Sequence, residues 1–308
     1  MDYSSPYVRL YFSARQFVKK RLVMVPFKRP LFLGLRALGV TPPFYQKLFF
    51  TGPFSFILEG KEVHMIHTSY QIENNLFWKG VEGDWEKTSL HIWITVAKEA
   101  RVILDIGANT GAYSLIAKSV NPNARVIAFE PLPKAIELFK KNCELNNFDV
   151  TLYGKALSNF EGKAVVHLET SEDFAYAVAV NKKLQVPEIK TRELVIQTTT
   201  LKRVIEEQNL ECIDLIKIDV EGHEPEVLET IKDHLQRWRP VILIEILTDY
   251  MGQRIEKIVG DVGYHYFNID ESGKVERVNH LSKSFSYNFL LCPPDRAERF
   301  VGAAADPN

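Results

Sequence analysis

The chain has 308 residues, a length that can hold one large α/β domain and an extension. Of these residues 46% are hydrophobic and 25% are charged, which is typical of a soluble globular protein. Its three cysteines, at positions 143, 212 and 292, are far apart and form no C-x-x-C pair, which argues against a disulfide framework or a zinc site and favours the reducing cytoplasm. The net charge is −1, no uncharged stretch approaches the ~20 apolar residues of a membrane span, and no short basic start leads into the apolar run of a secretory signal.

The first part of the chain is strongly basic, since residues 1–58 hold nine basic residues and one acid. Residues 7–25 show helical periodicity, with apolar and basic residues on opposite faces. A second short helix is expected within residues 31–50. Two interpretations stay open: the segment 7–47 lies on an anionic membrane surface, near a lipid-linked or polysaccharide substrate, or it packs on the domain or on a second subunit of a homo-oligomer. The apolar face consists of Tyr7, Leu10, Tyr11, Ala14, Phe17 and Val18.

The sequence divides into a basic extension (1–53), a lead-in segment (54–100) and a main domain (101–308). Within the lead-in segment, residues 54–68 alternate in polarity like a small hairpin. The rest of it is aromatic and acidic and is expected to cover one end of the main domain, where Glu86 is a candidate to reach a bound ligand. Its aromatic side chains serve either as sugar platforms or, more simply, as core or lid packing. They include Trp78, Trp85 and Trp93.

From residue 101 onwards, short apolar runs alternate with helical stretches, which predicts a parallel sheet covered by helices on both faces. Residues 164–168 and 194–198 are predicted to form an antiparallel pair around a polar loop. Residues 264–269 and 286–291 are predicted to form a second antiparallel pair at the edge of the main sheet. The parallel strands are predicted at 102–106, 125–129, 150–153, 213–218 and 241–246.

The segment L-D-I-G-A-N-T-G, residues 104–111, predicts a strand that ends in an acid and turns through two glycines into a helix. At Gly107 and Gly111 the missing Cβ would let the backbone approach a ligand closely. Glu130, at the tip of the next strand, is placed to bind the two hydroxyls of a ribose. A dinucleotide favours the spacing G-x-G-x-x-G, and Asp105 would repel its pyrophosphate. The same acid suits the positive charges of S-adenosylmethionine (SAM), so SAM is the predicted cofactor; the plainer alternative is a tight turn with a solvated acid.

Four motifs together resemble the FkbM family of SAM-dependent methyltransferases: D-I-G-A-N-T-G (105–111), A-F-E-P (128–131), A-L-S-N (156–159) and I-K-I-D-V-E-G-H-E (216–224). The resemblance covers residues 100–248. It implies an α/β fold with a Rossmann-like seven-stranded methyltransferase sheet, mostly parallel with an antiparallel edge strand. It also implies O-methylation of a hydroxyl on a sugar, a glycan or glycolipid, or a related secondary metabolite.

Matched motif by motif, the resemblance also implies which residues bind SAM. The glycine turn would face the methionine part, the acid of A-F-E-P would hold the ribose, and the A-L-S motif would lie near the adenine. The acid of I-K-I-D would sit at the catalytic end of its strand. The implied cofactor-binding residues are Asp105, Gly107, Ala108, Asn109, Gly111, Glu130, Pro131, Ala156, Leu157, Ser158 and Asp219.

The reacting end of the site is expected at the carboxyl ends of the strands, where ligands of open α/β sheets bind. Asp219 is the first candidate for the base or for a hydrogen-bond acceptor, His223 is the second because histidine titrates near neutrality, and Glu221 is the third. His223 and Glu221 each have a plainer explanation, because a helix begins here: the histidine could be bonded to the backbone at the helix start, and the helix dipole favours acids such as Glu221 and Glu224. Asp219, Glu221 and Glu245 could also hold Mg²⁺, but no metal site is predicted.

Two other functions remain as alternatives. The basic extension would suit a nucleic-acid methyltransferase, but the rest of the chain is acidic, and the N-methylation tetrapeptide [N/D]-P-P-[Y/F] is absent after the strand at 213–218. A non-catalytic SAM-binding regulatory module is disfavoured by the intact acids at 105, 130 and 219. The sequence therefore predicts a cytoplasmic O-methyltransferase that acts on a small molecule or a glycan and has no nucleic-acid partner. Peripheral attachment to the inner face of the membrane stays open as an alternative location.

Overall fold

The structure is a computed structural model and describes residues 28–169, 179–180 and 191–300. The helix predicted over residues 7–25 lies outside the described residues, as does nearly all of the polar loop before residue 191. No helix in the described ranges combines the length and the apolar character that crossing a membrane would require.

The basic extension contributes helix α1 (Lys28–Ala37), and the lead-in segment contains two α-helices and a hairpin. The predicted hairpin is confirmed: its two strands pair in antiparallel register, and its turn uses Glu59 and Gly60 with positive φ angles of 48° and 77°. Phe54, Phe56 and Trp93 of this segment are buried in one cluster with residues of the main sheet. The elements are α1 (Lys28–Ala37), β1 (Gly52–Leu58), β2 (Lys61–His67), α2 (Gln71–Lys79) and α3 (Lys87–Ala97).

The first half of the main domain alternates strands with helices and then adds short antiparallel strands. The pair predicted at 164–168 and 194–198 is confirmed, and it belongs to a separate small sheet. The elements are β3 (Val102–Ile106), α4 (Ala112–Val120), β4 (Arg125–Phe129), α5 (Pro133–Asn146), β5 (Thr151–Tyr153), β6 (Ala156–Leu157), β7 (Gly162–Glu169), β8 (Ala179–Val180) and β9 (Thr191–Thr199).

The second half completes the main sheet. The elements are α6 (Leu201–Glu207), β10 (Leu215–Ile218), α7 (Glu224–Glu229), α8 (Lys232–Trp238), β11 (Val241–Glu245), α9 (Asp249–Val259), β12 (His265–Asp270), β13 (Lys274–Val278), β14 (Asn288–Cys292) and α10 (Pro294–Ala297).

The main sheet has the strand order β13-β12-β14-β11-β10-β3-β4-β5. The six strands β3, β4, β5, β10, β11 and β12 run parallel, whereas β14 and β13 run antiparallel to their neighbours. The predicted mostly parallel α/β sheet and the predicted pairing of the last two core strands are confirmed. The strand order reverses direction next to β3, which places the loops after β3 and β10 side by side at the carboxyl edge.

The predicted count of seven strands is wrong for this sheet, because β13 adds an eighth at the edge. Its sequence K-V-E-R-V is largely exposed, so it lacks the apolar run from which the other strands were predicted. The antiparallel strand β14 lies inside the sheet between β11 and β12, and β13 is the antiparallel edge. An exposed, charged edge strand of this kind also protects a sheet from pairing with other chains.

Apolar clusters cover both faces of the main sheet. On one face, α3, α4 and the β1–β2 hairpin pack on alternate strand residues; on the other, α6, α7, α8 and α9 pack on the residues between them. The strands are therefore buried on both sides, which explains their continuous apolar sequences.

Gly252, in helix α9, provides a stability prediction. A Cβ at this position would lie 1.8 Å from the backbone carbonyl oxygen of Leu281. We expect Gly252→Ala to lower the free energy of unfolding by about 3 kcal/mol, because backbone cannot move aside as a side chain can. Gly260→Ala is the matched control, because nothing lies within 4 Å of its Cβ and its φ is −55°; we expect no loss of stability there. Urea unfolding of both variants tests this, and an equal effect of the two would contradict it.

Candidate active site

A large cavity opens at the carboxyl ends of β3, β4 and β10. It holds about 1100 Å³ of empty space, part of it open to solvent. Its lining brings together most of the residues that the sequence motifs singled out, although these are separated by more than a hundred positions along the chain. Those lining residues are Asp105, Gly107, Ala108, Asn109, Glu130, Pro131, Ala156, Leu157, Asp219 and Glu221.

The two glycines of the turn after β3 serve the packing of the protein itself. Gly107 has a φ of 82°, and a Cβ there would lie 1.8 Å from the backbone oxygen of Asp219. Gly111 has a φ of 94°, and a Cβ there would lie 2.8 Å from the ring of Phe139. The direction of a Cβ is filled by the protein at both glycines. Gly107 still lines the cavity with its backbone, whereas Gly111 does not line it, so the expectation that these glycines make room for a ligand is corrected for Gly111 alone.

Asp105 supplies a buried negative charge at the floor of the cavity. Its carboxylate is 1% exposed, and its Oδ2 accepts a hydrogen bond of 2.6 Å from the Ser114 hydroxyl. Its Oδ1 is buried and has no hydrogen-bond partner among the described residues. Burial raises the pKa of Asp105, which Lys217 and Ser114 oppose. A buried carboxylate oxygen without a donor is uncommon in proteins, and a bound ammonium or other cation would satisfy it.

Glu130 is fixed at the tip of β4 by two backbone amides. Its Oε2 accepts a hydrogen bond of 2.9 Å from the Asn109 amide, and its Oε1 accepts one of 2.8 Å from the Leu132 amide. Asn109 adopts a φ of 48°, which turns its amide towards this carboxylate. Burial raises the pKa of Glu130 to about 7. Each carboxylate oxygen retains acceptor capacity for a further donor, such as a ribose hydroxyl.

Lys217, in the middle of β10, is the cation at the reacting end of the cavity. Its Nζ donates a hydrogen bond of 2.8 Å to Asp219 and lies 4.6 Å from the centre of the Tyr113 ring. Burial lowers the pKa of this lysine, but the carboxylates of Asp219, Glu86 and Asp105 outweigh burial and raise it above its ordinary value. The motif I-K-I-D contains this lysine, but the sequence motif predicts no role for it. A charge within an apolar core strand was the signal that could have identified it.

Glu86 lies beside Lys217 and Tyr113 because a different residue, Glu271, caps helix α3. Glu86 precedes α3 with a φ of 44°, and its Oε2 accepts a hydrogen bond of 2.5 Å from the Tyr113 hydroxyl. The amides of Thr88 and Ser89, which a capping side chain would normally bind, donate instead to Glu271 at 2.8 Å and 3.1 Å. Burial raises the pKa of Glu86 to about 7. Because Glu271 lies more than 180 positions away, no local sequence pattern predicts this cap.

Two further carboxylates, Glu221 and Glu245, face Asp219. Glu221 lines the large cavity, and Glu245 lines a small adjoining cavity together with Lys217 and Asp219. Burial and the neighbouring Asp219 raise the pKa of Glu221 to about 8 and that of Glu245 to about 7. Within the described ranges, no three acidic, histidine or cysteine side chains are arranged to hold a metal ion. The magnesium alternative therefore gains no support from the geometry.

The structure does not bring His223 and Ser158 to the cavity lining. The His223 Nε2 and the Ser158 hydroxyl are 2.9 Å apart, and the other ring nitrogen lies 3.7 Å from Glu226. Glu224 is buried, and its Oε1 accepts hydrogen bonds from the amides of Val220 and Gly222. His223 and Glu224 thus fit the plainer explanation, because they hold the loop after β10 in place. Ser158 therefore does not offer its hydroxyl to the cavity, although its neighbours Ala156 and Leu157 line it.

The three tryptophans have different surroundings. Trp85 lines the cavity. Trp78 and Trp93 are buried in the core, where their indole N–H groups donate to the backbone oxygens of Leu48 and Tyr113. A role as a sugar platform is therefore open to Trp85 and closed to the other two.

Comparison with known proteins agrees with these motifs. A family model described as Methyltransferase FkbM domain matches residues 105–266, just over half of the chain. Methyltransferase sdnD of Sordaria araneosa is 29% identical over 189 residues, which is 53% of this chain and 73% of that protein. The 2-O-methyltransferase NoeI of Sinorhizobium fredii is 27% identical, with coverage of 58% and 76%. Hexuronic acid methyltransferase AglP of Haloferax volcanii is 27% identical, with coverage of 57% and 68%.

Proposed function

The chain belongs to the FkbM methyltransferase family, and on that premise we propose that it transfers a methyl group from SAM to a hydroxyl oxygen of a sugar, a glycan or glycolipid, or a related secondary metabolite. The observation that carries the SAM proposal is the buried Asp105 carboxylate, whose Oδ1 lacks a donor among the described residues. Two relatives support the acceptor class: NoeI is named a 2-O-methyltransferase and AglP a hexuronic acid methyltransferase.

The cavity fits SAM in its charges and its walls. Asp105 would face the ammonium and sulfonium charges, and Glu130, held by its two amides, would accept the ribose hydroxyls. An apolar wall formed by Leu132, Ala156 and Leu157 would cover the adenine. When bound, SAM supplies a methyl group that is open to attack by a nucleophile.

An acceptor hydroxyl must lose its proton as its oxygen takes the methyl group. A positioned base contributes about 10²–10⁴-fold to such a step. Asp219 and Glu221 both line the cavity, but burial and Asp219 raise the pKa of Glu221 to about 8, so Glu221 already holds its proton in most molecules at neutral pH. Lys217 donates a hydrogen bond to Asp219 and holds it in place. We assign proton removal to Asp219, with Glu221 beside it orienting the hydroxyl.

This assignment predicts opposite outcomes for Asp219 and His223. Asp219→Asn should lower kcat by about 10²-fold or more, because an amide can orient a hydroxyl but cannot take its proton. His223→Gln should keep kcat within about threefold, because the glutamine can still bind the Ser158 hydroxyl and the imidazole does not line the cavity. Steady-state kinetics of both variants, each checked for unchanged binding of S-adenosylhomocysteine, test the prediction. A large kcat loss for His223→Gln with intact cofactor binding would return the base role to the histidine.

Two measurements test the proposed function itself. Calorimetry should show that the protein binds S-adenosylhomocysteine and does not bind NAD. Incubation with methyl-labelled SAM and a fractionated cell extract should place the label in carbohydrate or small-molecule fractions. Label in RNA would favour the nucleic-acid alternative, and cofactor binding without transfer to any fraction would favour a regulatory module. Binding of a dinucleotide in place of S-adenosylhomocysteine would contradict the proposal.

Attachment to an anionic membrane surface stays a proposal for the basic extension. It is supported by the exposed apolar side chains that follow α1, since Leu38 is 79% exposed and Phe44 is 59% exposed. Deleting residues 1–50 would also remove the buried Phe32 and Phe50 from the core, so the sharper variant is Leu38→Glu with Phe44→Glu. Co-sedimentation with anionic vesicles should fall several-fold in this variant, and unchanged binding would contradict the proposal.

A further inference from the structure

The charges around the reacting end point to a restriction on the acceptor, and we propose that the protein methylates a compound with no negative charge near the accepting hydroxyl. A neutral or cationic glycan or alcohol would be accepted, whereas a uronate, a phosphate ester or a nucleic acid would be rejected. This inference rests on the proposed function and narrows its substrate class.

The described lining of the two cavities is acidic, and Lys217 is its single basic residue. That cation is not available to an anionic acceptor, because its Nζ is bound to Asp219 at 2.8 Å and lies over the Tyr113 ring. An incoming carboxylate or phosphate would therefore find no free cation in this lining. The carboxylates that line the cavities are Asp105, Glu130, Asp219, Glu221 and Glu245.

These carboxylates already repel one another. After burial, the largest influence that raises the pKa of both Glu221 and Glu245 is the charge of Asp219, and Glu245 raises that of Glu221 further. An additional negative charge would increase this repulsion, whereas a neutral hydroxyl would leave it unchanged and a cation would relieve it.

The proposed preference separates this chain from its relative AglP, which is named for an anionic sugar, hexuronic acid. Similarity at the family level therefore does not carry over to the charge of the acceptor.

The test uses cofactor analogues, so that it needs no known acceptor. In each analogue a nitrogen replaces the sulfonium of SAM and carries either a carbamoylmethyl or a carboxymethyl group, which reaches towards the acceptor side. The two groups have the same size and differ by one negative charge. In calorimetry on the full-length protein, the analogue with the neutral carbamoylmethyl group should bind about tenfold more tightly than the carboxymethyl analogue, a difference of about 1.4 kcal/mol in binding free energy.

Charge variants show whether this difference comes from the carboxylates. Glu245→Lys should narrow the gap in affinity between the two analogues several-fold, and Glu245→Gln should narrow this gap less. Glu99→Lys is the matched control, because Glu99 is 66% exposed and pairs with Arg299, away from the cavity lining; it should leave the gap unchanged. Equal or tighter binding of the carboxymethyl analogue would overturn the inference, as would a gap that neither Glu245 variant alters. If neither analogue nor S-adenosylhomocysteine binds, the proposed function itself fails.

Discussion

Replacing Lys217 with methionine should lower kcat/KM for methyl transfer by about 10³-fold and should destabilise the fold most at alkaline pH. The lysine is 8% exposed, and its Nζ is bound to Asp219 at 2.8 Å. Its charge also acts on Glu86 and Asp105. Removing one partner of a buried charge pair typically costs about 3–5 kcal/mol, because the remaining charge is left uncompensated. Activity should fall because the carboxylates that orient acceptor and cofactor would take up protons or move apart.

The pH dependence of this loss has a defined sign. Without Lys217, the pKa values of the surrounding carboxyls rise further above their ordinary range. A carboxyl with a raised pKa holds its proton in the folded state at pH values where the unfolded chain has already released it, so stability falls as pH rises. The variant should therefore lose about 3 kcal/mol relative to the wild type at pH 8 and clearly less at pH 6. Urea unfolding at the two pH values measures the difference.

Lys118→Met is the matched control for this prediction. Lys118 is also 8% exposed, but its Nζ donates to the backbone oxygens of Pro122 and Ala124, at 2.7 Å and 3.0 Å. Because neutral carbonyls do not titrate, its loss of stability should be the same at pH 6 and pH 8. If the Lys217 variant also showed a deficit independent of pH, the lysine would be a packing residue and its electrostatic role would be wrong.

The parts of the fold and site that could be predicted are those in which neighbours in sequence are neighbours in space. The strand Val102–Ile106, the turn after it and the acid at Glu130 all belong to one strand–helix–strand unit, so their motif predicts where they meet. The periodicity of the chain likewise predicted the core strands and the β1–β2 hairpin. Edge strand β13 was missed because an exposed strand has no need of an apolar sequence.

The parts that could not be predicted depend on contacts between distant segments. Glu86 comes to Tyr113 because Glu271, from the β12–β13 turn, takes over the capping of α3. His223 was a reasonable candidate for the base, but the small sheet supplies Ser158 to its ring. In both cases the chemistry of a side chain was evident from the sequence, whereas its direction depended on a partner that no local pattern specifies.

Asp105→Asn is expected to separate cofactor binding from stability. The substitution keeps an acceptor for the Ser114 hydroxyl and removes a buried negative charge. Burial raises the pKa of Asp105, so the ionised form is disfavoured in the folded protein, and its Oδ1 has no partner among the described residues. The variant should therefore be at least as stable as the wild type by urea unfolding at pH 8. Active sites commonly hold such a residue at a cost in stability.

Binding should change in the opposite direction. Loss of one member of a desolvated charge pair costs about 2–5 kcal/mol, so the Kd for SAM should rise by about 10²-fold in calorimetry. The sulfur of S-adenosylhomocysteine is neutral, so the loss of affinity for this ligand, compared with the loss for SAM, shows which positive charge Asp105 faces. Equal losses of affinity for the two ligands indicate the ammonium, and a smaller loss for S-adenosylhomocysteine indicates the sulfonium. Ser114→Ala keeps the charge and should weaken SAM binding less than Asp105→Asn does. An Asp105→Asn variant that binds SAM normally but unfolds more easily would make Asp105 a structural strand-end residue, and the electrostatic basis for choosing SAM over a dinucleotide would be lost.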